Sequence, residues 1–315
     1  MQRRIRPAII FYVSFFLFFT LNSVSAEKKH LREHFLVMPE LAVSSNIPQD
    51  VFLSQYGTAN FSFTLVTKVN KSLSFLPSLK ILAPFWDKKH YLLFGQLSYH
   101  NENRYNQVNF GLGGRYFGQD FLFGLNNFFD YRTDAKILRL GAGIEYWQDY
   151  LKFAINGFFS IGDDKFVTAM DRKARAANGI DARADFYLPQ FPEVGLFTTY
   201  EKYFGRINFS SITKEEHFIK NEHRLTIGIS YTPISLLTFS LGECFSSLPQ
   251  GGAIQHQMRL SMHMNYRLGV GFSAQIARDN IDEIRKVAHN RYDLVQRSAL
   301  MVLDYQQKDG LIKNF

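Results

Sequence analysis

Four aromatic-rich segments, separated by short polar turns, decide the fold: residues 108–117 (VNFGLGGRYF), 121–131 (FLFGLNNFFDY), 137–147 (ILRLGAGIEYW) and 151–161 (LKFAINGFFSI). Each of them alternates. In the third segment Leu138 and Ile144 fall on one face, whereas Arg139 and Glu145 fall on the other. A period of two residues indicates a β-strand, because successive side chains of a strand point to opposite faces.

The two faces of these strands differ in a way that favours a membrane. One face is apolar, and the other carries Arg, Glu, Asn and Gly. A water-soluble sandwich more often uses shorter strands whose apolar side chains meet in one shared core. Strands of about ten residues with lipid on one side and a wet lumen on the other are typical of a transmembrane barrel. The sequence therefore predicts an all-β protein, an antiparallel transmembrane β-barrel.

The same alternation recurs along the chain and predicts twelve strands: approximately 59–69, 74–83, 91–100, 107–117, 121–131, 136–147, 150–161, 179–188, 194–204, 222–231, 236–245 and 254–267. An even number suits a closed bacterial barrel. If the first strand runs outward, the connections from even to odd strands are periplasmic and should be short, as they are. The long connections, 162–178 and 205–221, fall on the other side.

Composition agrees with a membrane barrel and excludes several other classes of protein. The 32 Phe and 16 Tyr suit aromatic girdles at the two membrane interfaces. A single cysteine, Cys244, permits no intramolecular disulfide and no cysteine-based zinc site. The formal charge of +8 falls to +5 once Arg3, Arg4 and Arg6 of the leader are removed. That excess is too diffuse to indicate nucleic acid as a partner.

The N-terminus has the features of a cleaved secretory signal. Residues 1–26 combine three arginines, an apolar stretch from Ala8 to Leu21, and a Val24-Ser25-Ala26 cleavage site. Residues 27–57 form a periplasmic segment, in which a short helix is expected to begin near Pro48. The barrel is assigned to residues 58–267.

After the last strand, residues 268–315 show a different pattern. Residues 279–289 (DNIDEIRKVAH) have apolar side chains at helical spacing, acids early and bases late, which predicts a helix. Residues 292–305 are expected to be extended. Since twelve strands already close the barrel, this tail must lie beneath the barrel or thread it.

Several motifs occur in an order and at a spacing that resemble one family: QYGTA (55–59), NFGLG (109–113), GAGIEYW (141–147), ANGID (177–181), YLP (187–189), YEKYFG (200–205), YTP (231–233), RYDLVQR (291–297) and VLDY (302–305). The chain resembles the β-domain of inverse autotransporters, the intimin and invasin family of outer-membrane adhesins. The resemblance covers roughly residues 49–308.

The resemblance implies a twelve-stranded barrel in the bacterial outer membrane, whose linker, a short helix and an extended segment, passes through the pore. In the family this linker carries a C-terminal passenger to the cell surface. The partners implied are outer-membrane lipid and lipopolysaccharide, the barrel-assembly machinery and periplasmic chaperones. The printed chain is expected to end about where a passenger begins. No adhesive function is therefore carried over, and a passenger on a separate chain stays a candidate partner.

Polar residues on the inward face are the candidate site, because they can grip the linker by ion pairs and hydrogen bonds. On the barrel they are Arg115, Arg139, Glu145, Asp181, Arg183, Glu201, Arg224, Arg259 and Arg267. On the linker, packing in a polar lumen would give defined partners to Arg291, Asp293, Gln296 and Arg297. An equally simple interpretation of the barrel set is a solvated lumen that maintains the barrel's shape.

Two rival functions remain open from the sequence. The first is a stand-alone porin-like or structural barrel plugged by its own tail. The second is a lipid hydrolase, suggested by Ser261 and His263 two residues apart on one strand. Their parity places the pair in the lumen, away from lipid, so no catalytic residue, cofactor or metal is predicted.

Overall fold

The computed structural model describes residues 56–67, 73–102, 105–168, 171–208, 218–246 and 255–306. Within those ranges the chain forms fifteen strands: β1 (Thr58–Thr67), β2 (Leu73–Lys88), β3 (Tyr91–Glu102), β4 (Tyr105–Phe117), β5 (Phe121–Arg132), β6 (Ile137–Gln148), β7 (Leu151–Ile161), β8 (Lys165–Val167), β9 (Arg172–Ala176), β10 (Asn178–Leu188), β11 (Phe191–Asn208), β12 (Phe218–Ile234), β13 (Leu237–Ser246), β14 (Gln255–Arg267) and β15 (Leu303–Tyr305). The signal segment and the helix expected near Pro48 lie outside the described residues.

Twelve of these strands close into a barrel. β1 to β7 and β10 to β14 each pair antiparallel with the next strand around the ring, and β7 pairs with β10. The ring closes where β14 returns to β1, with Asn60 opposite Asn265. The predicted twelve-stranded antiparallel barrel is confirmed. Several strands are longer than predicted, because pairing continues past irregularities in the alternation, as at the register shift between Tyr203 and Arg206 of β11.

The two faces of the barrel wall divide as the alternation predicts. On β6, Leu138 and Ile144 are 41% and 45% exposed on the outer face, whereas Arg139 and Glu145 are fully buried inside. An apolar exterior of this extent is stable in contact with lipid hydrocarbon, because its exposure to water would be unfavourable. Much of the apolar surface that a soluble protein places in its core is therefore turned outward, and the interior combines buried polar side chains with a smaller apolar cluster that includes Phe94 and Trp147.

One end of the barrel has short turns and an aromatic girdle. The connections β2–β3, β4–β5, β6–β7, β10–β11 and β12–β13 each contain two or three residues. Beside them a chain of ring contacts links aromatic side chains of neighbouring strands: Trp86, Tyr91, Tyr116, Phe121 and Tyr146. Short turns face the periplasm in bacterial barrels, and aromatic rings sit at the headgroup level. We therefore call this end the periplasmic end.

The helix predicted over residues 279–289 is wrong as a continuous element. The chain forms a short helix, α1 (Phe272–Ile276), and then three 3-10 turns at Arg278–Asn280, Glu283–Arg285 and Val287–His289. Barrel side chains take hydrogen bonds that a helix would make internally, as Asp149 does for the Val287 N–H. Tertiary contacts thus override a moderate helical propensity.

Candidate functional site

Beyond β14 the chain turns back beneath the barrel and then runs through the lumen; we call residues 268–306 the linker. Gln275 fixes the first turn. Its Oε1 accepts the Arg267 N–H at 2.8 Å, and its Nε2 donates to the Val270 carbonyl at 2.9 Å. The Gln275 carbonyl accepts the Ser235 hydroxyl at 2.7 Å. The linker is thereby attached to the β12–β13 turn at the periplasmic end.

A buried arginine fastens the next part of the linker. Arg285 donates from Nε to the Pro192 carbonyl and from Nη2 to the Thr232 hydroxyl, each at 2.8 Å. Its guanidinium also lies 3.7 Å from the centre of the Tyr187 ring. Charge-assisted hydrogen bonds and a cation–π contact stabilise the same group, so Arg285 joins the linker to three strand ends at once.

The β6–β7 turn holds the 3-10 turns from the other side. The Asp149 carboxylate accepts the Val287 N–H at 2.7 Å, and the Tyr150 hydroxyl donates to Asp282 Oδ1 at 2.5 Å. The hydrogen bond from Tyr150 lowers the pKa of Asp282, because it favours the ionised carboxylate. The same bond raises the pKa of Tyr150, since the phenol must keep its proton to donate it.

Arg291 lies at the periplasmic rim and not within the lumen as expected. Its guanidinium donates to the Asp87 carboxylate and to the Lys89 carbonyl, and it stacks 4.1 Å from the centre of the Phe117 ring. The Arg291 carbonyl accepts a hydrogen bond from Arg115 Nη1 at 2.9 Å. The extended segment therefore enters the lumen immediately after Arg291, and its side chain acts as an anchor outside.

The first linker side chain inside the lumen joins two distant parts of the wall. The Asp293 carboxylate pairs with Lys152 of β7 at 2.5 Å and with Arg267 of β14 at 3.5 Å. Arg267 also donates to the His289 carbonyl at 2.8 Å. These two strands are five places apart in a ring of twelve. Asp293 therefore connects two distant parts of the barrel wall across the lumen.

A second ion pair lies wholly within the wall and faces the linker. Arg115 and Glu145 are 3.1 Å apart, and their side chains are essentially inaccessible to solvent. The guanidinium is flanked by the rings of Phe94 and Trp147, 4.7 and 4.5 Å from their centres. The Glu145 carboxylate also accepts the Gln296 N–H at 3.4 Å. The pair thus links β4 to β6 across Gly124 of β5, and it touches the linker backbone.

The centre of the site is one carboxylate shared by two guanidinium groups. Asp130 pairs with Arg139 of the wall at 2.7 Å and with Arg297 of the linker at 2.6 Å. Arg297 donates to both carboxylate oxygens, and its guanidinium stacks 4.3 Å from the centre of the Phe128 ring. A bidentate pair of this kind fixes geometry as well as charge. It sets the depth at which the linker sits.

The linker backbone has little secondary structure inside the lumen, so wall side chains satisfy its polar groups. The carbonyls of Ser298, Ala299 and Leu300 accept hydrogen bonds from Arg139 at 3.0 to 3.3 Å. Others are Val295 N–H to Gln96 at 2.9 Å, Ser298 N–H to Asp181 at 2.7 Å, Met301 N–H to Gln107 at 2.8 Å, and Asn156 to the Gln296 carbonyl at 3.0 Å. The wall thus binds the linker along its path.

At the far end the linker becomes a strand. β15 pairs with β9, placing Leu303 opposite Ala176, and touches β11 at Ile207. Apolar side chains from the linker and the surrounding connections bury one another there, among them Met301 and Leu303. β9 belongs to a hairpin with β8 in the long β7–β10 connection, on the side opposite the short turns. The linker therefore enters at one end of the barrel and leaves at the other.

The predicted site residues divide into two groups in the structure. Those whose side chains touch the linker from the wall are Arg115, Arg139, Glu145, Asp181, Glu201 and Arg267. Arg183 and Arg224 instead pair with Asp185 and Glu222, two residues away on their own strands. Arg259 lies near the Glu201 carboxylate. On the linker, Gln296 donates to Asp185.

Several contacts were missed by sequence reasoning, all on the lumen-facing parity of predicted strands: Gln96, Gln107, Asn109, Asp130, Lys152, Asn156 and Asp185. Asp130 had a signal, since a carboxylate stands among aromatic residues in FLFGLNNFFDY. Of the others, Gln96, Gln107, Asn109 and Asn156 are neutral, whereas Lys152 and Asp185 are charged. For all of them, parity alone does not separate a linker contact from a hydrated wall.

The part of the chain that the structure describes offers little support for a catalytic or metal site. The Ser261 hydroxyl shares a hydrogen bond of 2.8 Å with Thr64, and His263 faces the lumen. No group of three or more His, Cys, Asp or Glu side chains there could hold a metal ion. None of the helices in the described residues is long and apolar enough to cross a membrane.

These features define a class: a closed twelve-stranded membrane barrel whose lumen is threaded by its own C-terminal segment. The family model for the inverse autotransporter β-domain matches residues 20–299. The chain belongs to that family, and its place is the bacterial outer membrane.

Curated relatives and a solved structure agree with this assignment. The chain is 32% identical to intimin of Citrobacter freundii over 93% of its own length and 30% of that protein. It is 31% identical to invasin of Yersinia enterocolitica over 82% of its length and 30% of that protein. A structure described as "Unveiling the Mechanism Behind the in-meso Crystallization of Membrane Proteins" superposes with a TM-score of 0.72 at 31% identity, covering 80% of this chain and all of that one. The chain thus spans less than a third of these curated relatives.

Proposed function

We propose that this barrel exports and anchors a polypeptide joined to the C-terminal end of its linker. The observation that carries the proposal is the direction of the linker, which enters beside the short turns and leaves beside the β8–β9 hairpin. A polypeptide that continues from Gln306 is thereby delivered to the outer side of the membrane. No separate pore is needed for this step.

The contacts along the linker are typical of a stably bound anchor rather than of a chain that is moving through the pore. Asp130, Asp293 and Arg297 form ion pairs that lie largely out of water, where breaking one partner costs about 3–5 kcal/mol. Withdrawal of the linker would break several of them together. The state described here is accordingly the resting state after export, in which the linker blocks the pore and holds its own position.

The passenger and the partners belong to this proposal. One relative, YeeJ of Escherichia coli, is named an inverse autotransporter adhesin, and this chain matches 11% of its length. We propose display of a passenger, joined to the chain or carried separately, and assembly by the outer-membrane insertion machinery and periplasmic chaperones. We further propose that lipopolysaccharide phosphates contact basic residues of β9 such as Lys173, on the side of the barrel opposite the short turns.

We also propose that the barrel performs no catalysis. The Ser261–His263 pair supports this, because it lies on the lumen side of β14, where Ser261 bonds Thr64. A lipid hydrolase requires its nucleophile beside the acyl chains on the outer face. Replacing Ser261 with Ala should leave export unchanged.

Export can be tested by adding an epitope tag after Phe315 and treating intact cells with a protease. The proposal predicts that the tag is cleaved in intact cells. A matched tag inserted among residues 27–57 should be protected until the outer membrane is permeabilised. A C-terminal tag protected in intact cells and cleaved only after permeabilisation would contradict export and favour the stand-alone plugged barrel.

A further inference from the structure

The linker contacts mainly the wall from β3 to β10 and leaves space along the other side of the lumen. That space is a cavity of about 240 Å³ lined by residues of β1, β2, β7 and β10 to β14 together with the linker. It is far larger than a single water requires. Its wall is built from small hydroxyl and amide side chains, including Asn60, Ser230, Ser240 and Asn265. The hydroxyl groups of Ser230 and Ser240 and the Asn265 amide can donate hydrogen bonds to a guest.

The charges around this cavity are unequal. Six cationic side chains line it, Lys80, Lys152, Arg183, Arg267, Arg285 and Arg297, but only two carboxylates, Asp185 and Asp293. Both carboxylates are already engaged, with Arg183 at 2.9 Å and with Lys152 at 2.5 Å. Arg297 is paired with Asp130 outside the lining, so five other cations face two carboxylates and the cavity carries excess positive charge.

Lys80 is the cation of this cavity whose charge is least compensated by its neighbours. It stands on β2 directly across from Asn60 of β1 and Ser98 of β3, and it faces the cavity. The Asn60 amide is turned aside and donates to Asn265 at 2.7 Å. Among the described residues no hydrogen bond or ion pair of the Lys80 ammonium is found, whereas the other five cations each have one. Lys80 is partly accessible within the cavity, and an unpaired ammonium surrounded by other cations favours the binding of an anion beside it.

We propose that this cavity is a binding site for a small inorganic anion such as phosphate, held by the Lys80 ammonium and the surrounding hydroxyl and amide groups. A compact oxyanion accepts hydrogen bonds on every side, as this lining offers them. The bound anion would neutralise the side of the lumen that the linker leaves open. It would therefore stabilise the barrel independently of any exported passenger.

The test uses the full chain refolded in non-ionic detergent, with thermal unfolding followed by circular dichroism. Sodium phosphate or sodium chloride is titrated against a bulky organic salt so that ionic strength stays constant. We expect the midpoint temperature to rise saturably with at least one of the two anions. In Lys80→Gln the apparent affinity should fall about tenfold or more, as for loss of a charge-assisted hydrogen bond.

Two further comparisons make the test specific. Lys165→Gln changes an exposed lysine of the β8–β9 hairpin, and it should bind the anion like the unmodified chain. Without a small anion, Lys80→Gln should be at least as stable as the unmodified chain, because it removes an uncompensated charge. The proposal is overturned if neither anion gives a saturable rise, or if Lys80→Gln responds as the unmodified chain does.

Discussion

The carboxylate of Asp304 on the linker accepts the backbone N–H of Arg206 on β11 at a distance of 2.7 Å. That N–H is available because the β11–β12 register shifts between Tyr203 and Arg206, where Gly205 has a φ of +115°. The other carboxylate oxygen pairs with Arg175 of β9 at 3.1 Å. Asp304 thus ties the exit of the linker to a barrel strand and to the outer hairpin.

Replacing Asp304 with Ala should loosen this exit. The Arg206 N–H loses this acceptor, which costs about 1–3 kcal/mol when the group is buried. Amide hydrogen exchange over residues 302–306 should therefore become roughly 5- to 150-fold faster. Asp304→Asn retains an oxygen acceptor and should show a smaller change. Unaltered exchange in Asp304→Ala would show that the contact does not hold β15.

Replacing Gly205 with Ala should loosen the same region for a steric reason. A Cβ at Gly205 would lie 2.4 Å from Asp304 Cγ, so the carboxylate must move. Gly162 is the matched control, since its φ is +83° but a Cβ there meets nothing within 4 Å. Faster exchange at β15 is expected in Gly205→Ala and not in Gly162→Ala. Equal effects would mean that backbone strain, and not the clash, is responsible.

Loss of the Asp130 carboxylate should lower the free energy of unfolding more than loss of the Arg297 guanidinium on the linker. Asp130→Asn leaves two buried guanidinium groups without their carboxylate, and it should cost about 3–5 kcal/mol in the free energy of unfolding. Arg297→Met should cost less, because Asp130 keeps its pair with Arg139. Urea unfolding of both variants and of the double variant measures this. The combined cost should be smaller than the sum, since the sites share a network.

The periplasmic attachment should depend on pH through Asp282. Its pKa lies below the ordinary value of about 3.8 because Tyr150 donates to the carboxylate. A lowered pKa stabilises the folded state above pH 3.8 and loses that contribution as the pH falls through the folded value. Protease cleavage near residue 282 should therefore be constant from pH 7 to about 4 and rise below it. In Tyr150→Phe the rise in cleavage below about pH 4 should be smaller. An unchanged rise would exclude the Tyr150 hydrogen bond as its cause.

The barrel was predictable because its outer face obeys a strict local rule. Lipid contact requires an apolar residue at every second position, so Leu138 and Ile144 reveal the strand without knowledge of its neighbours. Strand ends were less predictable. β11 continues beyond Phe204 because a bulge at Gly205 lets pairing resume, and such a bulge depends on partners distant in sequence.

The linker was only partly predictable, because its conformation depends on contacts with residues distant in sequence. The polar residues of RYDLVQR indicated contact with the lumen, and Asp293 and Arg297 make it. Their partners could not be deduced, because Lys152 and Asp130 are chosen by the three-dimensional register of the linker in the barrel. The 3-10 turns were mistaken for a helix since their hydrogen bonds depend on Asp149 and Tyr150, more than 130 residues away.

Occupation of the pore by the linker can be measured through single-channel conductance. The full chain and a variant lacking residues 269–315 would each be refolded and inserted into planar bilayers, with circular dichroism to show that both are folded barrels. The full chain should be nearly closed, and the truncated barrel should open. Equal conductance of the two would place the linker outside the lumen and contradict the account.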